Sequence, residues 1–288
     1  MGESVKNLLK FNDRVVASVQ PLMVFASPRY HKMEFMKYGI SHFYRFKVSD
    51  KMLGNVQIVP DGCVDIVFKI KGNNVEAKCY GSPLELKDRN YVDFLENGSE
   101  VFGVRFLPNN IIMPGGYKIS EFTNNKIDLD KLLKNGSEFI EEICESDDFN
   151  TQVSIFLKYY LEEFNKSFTM TTKNHITSYM INEIVKKRGA IRIEKLSDDI
   201  GYSSRHINKI FNDNVGMSPK MFCKIMRFQG VLSEFTRKQK LTDIADIMGF
   251  FDQSHLVKEF KQFIGITPKR FEEAISTAEY KNRIVVVK

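Results

Sequence analysis

The 288-residue chain has no apolar run that approaches the roughly 20 residues a membrane-spanning helix needs. Its first residues, MGESVKNLLKFNDR, lack the apolar segment of a secretory signal. Only four cysteines are present, none in a CxxC pair and none beside a histidine at metal-ligand spacing. These absences predict a cytoplasmic protein with reduced thiols, no membrane partner and no metal site built on cysteine.

Motifs of catalysis are also missing. The sequence contains neither a nucleophile elbow nor a glycine-rich phosphate loop, and Gly115–Gly116 alone has no such meaning. His31 and His42 are the only histidines of the N-terminal half, and they form no HxH motif. A metal site of two histidines and one carboxylate is the remaining enzymatic alternative. We predict no catalytic residue, no metal and no cofactor.

Charge is distributed unevenly along the chain, whose net charge is +6. Lys173–Lys288 holds 21 basic and 13 acidic residues, a net charge of +8. The preceding residues hold 21 basic and 23 acidic residues, a net charge of −2. A basic C-terminal part favours a polyanionic partner.

The hydrophobic period also divides the chain. Short apolar or alternating runs between about residues 15 and 107, separated by clusters such as SPRYH and KGNN, predict an antiparallel sandwich or barrel. From Leu129 the period becomes helical, with a short helix through Glu138–Cys144 and one apolar face over Val153–Phe164. We predict an α+β protein with an N-terminal domain over 1–166, a linker over 167–174 and an all-α domain over 175–288.

A diverged internal repeat occupies the C-terminal part. LSDDIGYSSRHINKIFNDNVGMSP begins at Leu196, and IADIMGFFDQSHLVKEFKQFIGITP begins at Ile244. Gly201 corresponds to Gly249, 48 positions later, and one extra residue in the second turn raises the offset to 49. In each copy two apolar helical segments are joined at this glycine, where a sharp turn is accessible. The repeat predicts two helix-turn-helix units.

The second helix of each unit is predicted to have a buried and an outward side. Ser203 or Ser204 can cap it in the first copy and Asp252 in the second. Apolar side chains at 207, 210 and 211, and at 256, 260 and 263, face the core. Donor-rich side chains, which suit base edges and phosphates, then face outward at Arg205, Asn208, Lys209, Gln253, Ser254 and Lys258.

A helix is predicted between the two copies, over Ser218–Arg237, with Ser218 as N-cap and Pro219 at the first helical position. At 1.5 Å per residue it is about 30 Å long. Major-groove segments on one face of B-DNA recur about every 34 Å. The linker helix could therefore present the second helix of each unit, here called the reading helix, to successive grooves. This geometry favours a DNA-binding function.

Residues 175–275 resemble the C-terminal DNA-binding domain of the AraC/XylS family of bacterial regulators. The resemblance is carried by LSDDIGYSSRHINKIFNDNVGMSPKMF, by Arg227 and by IADIMGFFDQSHLVKEFKQFIGITPKRF. Gly230 departs from the alanine common in the family, which should weaken the linker helix by up to about 1 kcal/mol. Asp198 and Asp199 also place acidic groups near the first unit.

The resemblance implies that the first helix of each unit braces the DNA backbone while the second enters the major groove. For His206 and His255 we favour backbone contact or packing over base readout. The implied DNA-binding residues are Ser204, Arg205, His206, Asn208, Lys209, Gln253, Ser254, His255 and Lys258.

The N-terminal half resembles the family's regulatory half, a cupin-like β-barrel of about residues 15–107 followed by helices of about 129–166. Its carriers are the IVPDGCVDIVF run and the GVRFLP strand. The resemblance implies a small-molecule effector, a homodimer or both, with effector-binding residues unknown. It also implies double-stranded DNA as the target and RNA polymerase as a possible partner, with activation of transcription as the predicted outcome and repression as the open alternative.

Three hypotheses follow. The first is a transcription regulator tuned by an effector or by dimerisation. The second is a metal-dependent cupin enzyme that carries a basic helical domain, and the third is a regulator controlled by a protein partner without a small ligand. The apolar face of Val153–Phe164 could pack on the strands or contact a second subunit. We favour the dimer contact, because repeated DNA sites benefit from paired subunits.

Overall fold

The computed structural model describes residues 20, 24, 27–48, 58–84, 96–109, 117–133, 135–167, 171–235, 239–274 and 282–287. Within these residues the protein is α+β, with a β-sheet and its covering helices followed by an all-helical part. None of the helices described is both long enough and apolar enough to cross a membrane.

The described strands form one seven-stranded sheet with the order β6-β4-β3-β5-β2-β1-β7. All neighbouring strands are antiparallel except β1 and β7, which run parallel. Strands β3 and β5 lie at the centre and are buried over most of their length, which makes them the core of the sheet. The strands are β1 (Tyr30–Lys37), β2 (Ile40–Lys47), β3 (Val64–Lys71), β4 (Asn74–Tyr80), β5 (Glu100–Phe106), β6 (Lys126–Asp128) and β7 (Ile284–Val286).

The sheet differs from the predicted closed barrel. Across the described ranges it is open, and the three-residue strands β6 and β7 form its two edges. Each edge strand pairs with one neighbour, β4 or β1 respectively. A barrel needs a hydrogen-bonded ladder between its first and last strands, and the described part of the chain forms no such ladder. The cupin-like barrel prediction is therefore wrong for these residues.

Strand β1 was not predicted, because SPRYH reads as a turn. The strand begins at Tyr30, which is buried and stacks on Tyr44 and Phe46 with ring centroids 5.6 and 5.5 Å apart. Cross-strand aromatic contacts of this kind stabilise pairing beyond local propensity. Parts of the predicted strand region, about residues 15–107, lie outside the described residues.

Three helices cover one face of the sheet: α1 (Leu129–Leu132), α2 (Gly136–Glu145) and α3 (Phe149–Ser167). The apolar face of α3 lies in the core with the sheet, through Val153, Phe156 and Tyr160. The Tyr160 hydroxyl donates to the Tyr38 carbonyl at 3.2 Å. The dimer contact predicted for this face is therefore wrong, because the sheet of the same chain covers it.

Seven helices follow and share a second apolar core. They are α4 (Thr172–Lys186), α5 (Ile193–Ile200), α6 (Ser204–Val215), α7 (Pro219–Phe235), α8 (Leu241–Ile247), α9 (Gln253–Ile264) and α10 (Pro268–Ala274). After α10 the chain returns to the sheet, where β7 lies beside β1.

Candidate nucleic-acid interface

Helices α5 and α6 form one helix-turn-helix unit, and α8 and α9 form the other. Each turn contains a glycine in the left-handed region, Gly201 at φ 75° and Gly249 at φ 68°. Glycine adopts this conformation at little cost because it has no Cβ. The chain can therefore leave one helix and begin the next within a few residues.

Side-chain caps fix where the second helices begin. The Ser203 hydroxyl accepts a hydrogen bond from the His206 N–H at 3.3 Å. The Asp252 carboxylate accepts one from the His255 N–H at 2.7 Å. Of the two serines predicted as caps for α6, the structure selects Ser203. These bonds satisfy N–H groups that a helix start leaves without an intrahelical partner.

The buried side of each second helix matches the prediction. Every apolar residue assigned to it is at most 4% exposed: Ile207, Ile210, Phe211, Leu256, Phe260 and Phe263. The helical period of 3.6 residues then directs the intervening polar residues away from the core. The two units thus present two polar helix surfaces on one helical body.

The predicted DNA-binding residues lie on these outward surfaces. All of them are exposed except Ser204 and Asn208, which are half-buried. Among the described residues, five make no side-chain hydrogen bond or ion pair: Arg205, Lys209, Gln253, Ser254 and Lys258. Their donors are available to a ligand without breaking an internal contact.

Asn208 differs from these five residues. Its side-chain amide donates to the Ser204 carbonyl, one turn earlier, at 2.7 Å. A base contact by Asn208 would exchange this intrahelical bond for an intermolecular one. The periodicity that placed Asn208 outward gave no signal of this local bond.

Both predicted histidines pack against aromatic neighbours. The His206 ring stacks on Tyr202 with centroids 5.0 Å apart, and the His255 ring meets Phe250 edge-on at 5.4 Å. Each ring is therefore oriented by the protein itself. The structure thus shows ring packing for both histidines, and their contact with the DNA backbone stays a prediction.

Helix α7 joins the two units. The Ser218 hydroxyl accepts from the Met221 N–H at 3.2 Å, as expected of an N-cap. The 17 residues of the helix span about 26 Å, shorter than the 30 Å expected from the sequence. The Arg227 guanidinium lies 5.3 Å from the centre of the Phe250 ring, which ties α7 to the second unit.

Comparisons with known proteins bear on this arrangement. Residues 196–274 match the family described as a helix-turn-helix domain. A stretch of 101 residues is 27% identical to the probable transcription factor PqrA from Proteus vulgaris, covering 35% of this chain and 82% of PqrA. The C-terminal part of this chain is a helix-turn-helix domain of the AraC/XylS type, and the chain is a DNA-binding transcription regulator. Such a regulator acts by binding DNA and is not an enzyme.

Two solved structures are also similar to parts of the regulator. The C-terminal domain of AraT, a response regulator from Geobacillus stearothermophilus, is 17% identical, with 35% of this chain and 88% of that domain covered at a TM-score of 0.33. ToxT from Vibrio cholerae is 10% identical, with 81% of this chain and 97% of ToxT covered at a TM-score of 0.41. Residues 36–128 match a domain of unknown function, DUF6597.

The N-terminal half of the regulator contacts the far end of α6. Thr123 donates from its hydroxyl to the Gly216 carbonyl at 2.6 Å, and Lys118 lies 3.5 Å from the Asp213 carboxylate. Gly216 is buried, and a Cβ added there would lie 2.1 Å from the Thr123 hydroxyl. The first reading helix is therefore held at its C-terminal end by the N-terminal half, a contact that sequence periodicity does not signal.

A second contact joins the N-terminal half to the linker helix. The Gln229 amide, buried on α7, donates to the Pro60 carbonyl at 2.8 Å. A Cβ on Gly62 would lie 2.7 Å from the Phe222 ring, so glycine allows this close approach. The PDGC turn thus lies directly against α7.

A buried ion network holds that turn in place. Arg105 donates to Asp61 and to Asp65 at 2.7 Å in each case, and all three side chains are buried. Burial disfavours the charged guanidinium, but the two carboxylates outweigh it and hold the pKa of Arg105 well above its usual value. The two runs that carried the N-terminal resemblance, IVPDGCVDIVF and GVRFLP, are therefore joined by an ion network.

The two histidines of the enzymatic alternative are not brought together. Strand pairing places His31 opposite Arg45 and His42 opposite Glu34. Because Glu34 is three residues after His31 on β1, the two histidines are about 10 Å apart along the strands. His42 is buried, and its Nδ1 lies 3.0 Å from the Ser41 hydroxyl. Within the described residues no group of three or more histidine, cysteine or acidic side chains is placed to hold a metal ion.

Proposed function

We propose that this regulator recognises a specific double-stranded DNA sequence through α6 and α9, and that its N-terminal half controls the binding. The supporting observation is the set of five uncovered donor side chains on the two reading helices. A solvated helix face would also be polar, but here the matched positions recur in two units joined by one helix. A basic C-terminal part of net charge +8 favours the approach to DNA.

The proposed roles follow from side-chain chemistry. Arg205 suits the two acceptors of guanine, and Gln253 suits the acceptor and donor of adenine. Lys209, Ser254 and Lys258 suit base acceptors or phosphate oxygens. Ser204, Asn208, His206 and His255 complete the proposed surface, the two histidines through packing or backbone contact.

Control is proposed to pass through the contacts between the two halves. Thr123 contacts the end of α6, and the PDGC turn contacts α7. A conformational change in the N-terminal half would therefore alter the position of the first reading helix and of the linker helix. A small-molecule effector, a second subunit or a protein partner acts on this equilibrium only if it binds one arrangement more tightly. We propose a cytoplasmic activator that works with RNA polymerase, as the family resemblance implies.

The test of DNA recognition is a gel-shift titration of the full-length protein on DNA upstream of its own gene and of neighbouring operons, at a stated salt concentration. We expect a shifted complex that survives excess non-specific DNA, and a footprint covering two major-groove segments on one face. Binding that is equally strong to every competitor sequence would contradict the proposal. A reporter gene under the same DNA then measures activation.

A further inference from the structure

Phe251 is the most exposed of the large hydrophobic residues in the described ranges, at 93%. The preceding residue, Phe250, is 7% exposed and lies in the core of the helical part. Large aromatic side chains dominate the energetics of cores and interfaces, so an almost fully solvated ring beside the proposed DNA-binding residues is a candidate for contact with the ligand. Nothing in the described part of the chain covers this ring.

Phe251 is the extra residue of the second turn. Gly201 is followed by Tyr202 and the N-cap Ser203, whereas Gly249 is followed by two residues before the N-cap Asp252. Phe250 occupies the position equivalent to Tyr202 and contacts Arg227 and His255. The structural role in the turn is thus filled by Phe250, and Phe251 is an addition that contributes no ring contact to the core.

Phe251 lies beside the proposed DNA-contacting residues of α9 along the chain. It directly precedes the N-cap of α9, and the exposed residues Gln253 and Ser254 follow within one turn. In helix-turn-helix proteins the N-terminal residues of the second helix contact the base edges. The major groove offers one apolar group to such a side chain, the C5-methyl of thymine. A single aromatic ring followed by polar residues suits that methyl better than it suits an extended apolar protein surface.

We propose that Phe251 is a specificity-determining residue, whose ring reads a thymine methyl group at the edge of the half-site bound by α9. This inference rests on the proposed DNA-binding function. Burying one methyl group against the ring corresponds to about a fourfold gain in affinity. The contact requires only that the second unit enters the major groove with the start of α9 leading.

The experiment first selects a bound sequence from a random DNA pool with the full-length protein. Each thymine of that site is then replaced singly by deoxyuracil, which removes only the methyl group. Phe251→Ala and Phe251→Leu are titrated on the same series. Tyr117→Ala, which alters a partly exposed aromatic of the N-terminal half, is the control. Thermal unfolding of each variant checks the fold, which should be unchanged in Phe251→Ala because the ring lies outside the core.

We expect one thymine-to-uracil change to weaken the wild type by about fourfold and to leave Phe251→Ala unaffected, with Phe251→Leu between them. The inference is overturned if Phe251→Ala keeps the wild-type uracil profile, if it weakens all sites equally, or if the second half-site contains no thymine. It is also overturned if Phe251→Ala binds normally and loses only activation, since that would indicate a protein partner. Failure of the wild type to select any sequence would instead remove the proposed function.

Discussion

The ammonium group of Lys258 on α9 illustrates how a single residue is left available by the fold. Leu256 and Phe260, two residues before and after the lysine, are buried. The lysine itself is exposed and forms no ion pair with any described residue. A lysine in this state has two common fates, a solvated surface or an anionic ligand. The matched exposure of Arg205 and Lys209 in the other unit favours the ligand.

Lys258→Ala should weaken specific DNA binding by about 1–3 kcal/mol if the lysine contacts a base, and the loss should concentrate at one position of the site. A lysine that contacts phosphate instead lowers affinity for all sequences and reduces the salt slope by about one. Titrations over several salt concentrations separate these cases. Lys131→Ala, which removes an exposed lysine of the N-terminal half, is the charge-matched control. Wild-type affinity in Lys258→Ala at every site would count against the assigned surface.

His42 is expected to make the stability of the folded protein depend on pH. Burial, together with the nearby positive charges of Arg105 and Lys32, holds the pKa of its imidazole well below the ordinary value of 6.5. In the unfolded chain the ring binds a proton below about pH 6.5, whereas in the folded protein it stays neutral. The free energy of unfolding should therefore fall as pH drops through this range, by up to about 1.4 kcal/mol per pH unit for this group.

Denaturant titrations between pH 5 and pH 8 measure this effect, at about one titration per half pH unit. The His42→Gln variant should show a shallower decline of unfolding free energy below pH 6.5, because it removes the proton-binding group from the unfolded chain. Above that range the curves of the two proteins should run parallel. An identical decline in both proteins would show that other groups carry the acid sensitivity.

At the scale of the element, α7 combines a cap, a packed face and one glycine. Gly230 was expected to weaken the helix by up to about 1 kcal/mol relative to alanine. The structure supplies a reason for glycine, because a Cβ at this position would lie 2.6 Å from the Met248 sulfur. Met248 is buried at the end of α8, so α7 approaches the second unit closely at this position.

Gly230→Ala should consequently gain less unfolding free energy than helix propensity alone predicts, since Met248 must move to admit the methyl group. Chemical denaturation of the wild type and the variant measures the difference. In a Met248→Ala background, which removes the obstructing side chain, Gly230→Ala should recover the propensity gain of about 1 kcal/mol. The same full gain in both backgrounds would mean that the close approach has no energetic consequence.

In the complete molecule, the N-terminal half and the helical part are joined by side chains that neither the strand pattern nor the helical period of the sequence marks. Thr123 bonds to Gly216 at the end of α6, and Asn109 donates to the Ser178 hydroxyl on α4 at 3.0 Å. The C-terminal strand β7 also lies along β1, with the Val287 N–H donating to the Lys32 carbonyl at 2.8 Å. The helical part is thus attached to the N-terminal half at several separate places.

Alanine substitutions at two equivalent glycines allow the energetic contribution of the contact between the halves to be measured. Gly216 and Gly265 both end reading helices in the left-handed region, at φ 82° and 76°, so alanine strains both backbones similarly. Only the Gly216 methyl meets the N-terminal half, 2.1 Å from the Thr123 hydroxyl, while a Cβ at Gly265 has nothing within 4 Å. Gly216→Ala should therefore destabilise the protein by more than Gly265→Ala does.

Thermal or denaturant unfolding of the two variants measures the excess, which is the additional loss of stability in Gly216→Ala relative to Gly265→Ala. Adding Thr123→Ala to Gly216→Ala should remove part of it, because the obstructing hydroxyl is gone, whereas Thr123→Ala should not alter the effect of Gly265→Ala. Equal losses in the two glycine variants would mean that the halves are not docked as described. The same proteins in a DNA-binding titration then report whether docking alters the affinity of the first unit.

Local sequence patterns predicted the two helix-turn-helix units, their glycine turns, the Asp252 cap and their buried faces, and they narrowed the cap of α6 to Ser203 or Ser204. These features depend on residues at most a few turns apart, and the helical period and the repeat record them directly. These patterns also indicated the exposed donors, although the internal bond of Asn208 and the solvated ring of Phe251 were not foreseen.

Packing between distant residues, by contrast, accounts for the open sheet, strand β1, the sheet-facing role of α3 and the contacts between the halves. Strand pairing and docking join residues far apart in sequence, and they depend on shape and burial that local patterns do not encode. The ion network of Asp61, Asp65 and Arg105 is an example, because a charged residue in a strand gives no sign of its distant partner. Local sequence therefore specifies the outward side chains of α6 and α9. The contacts that hold these helices against the N-terminal half depend on packing between residues far apart in the sequence.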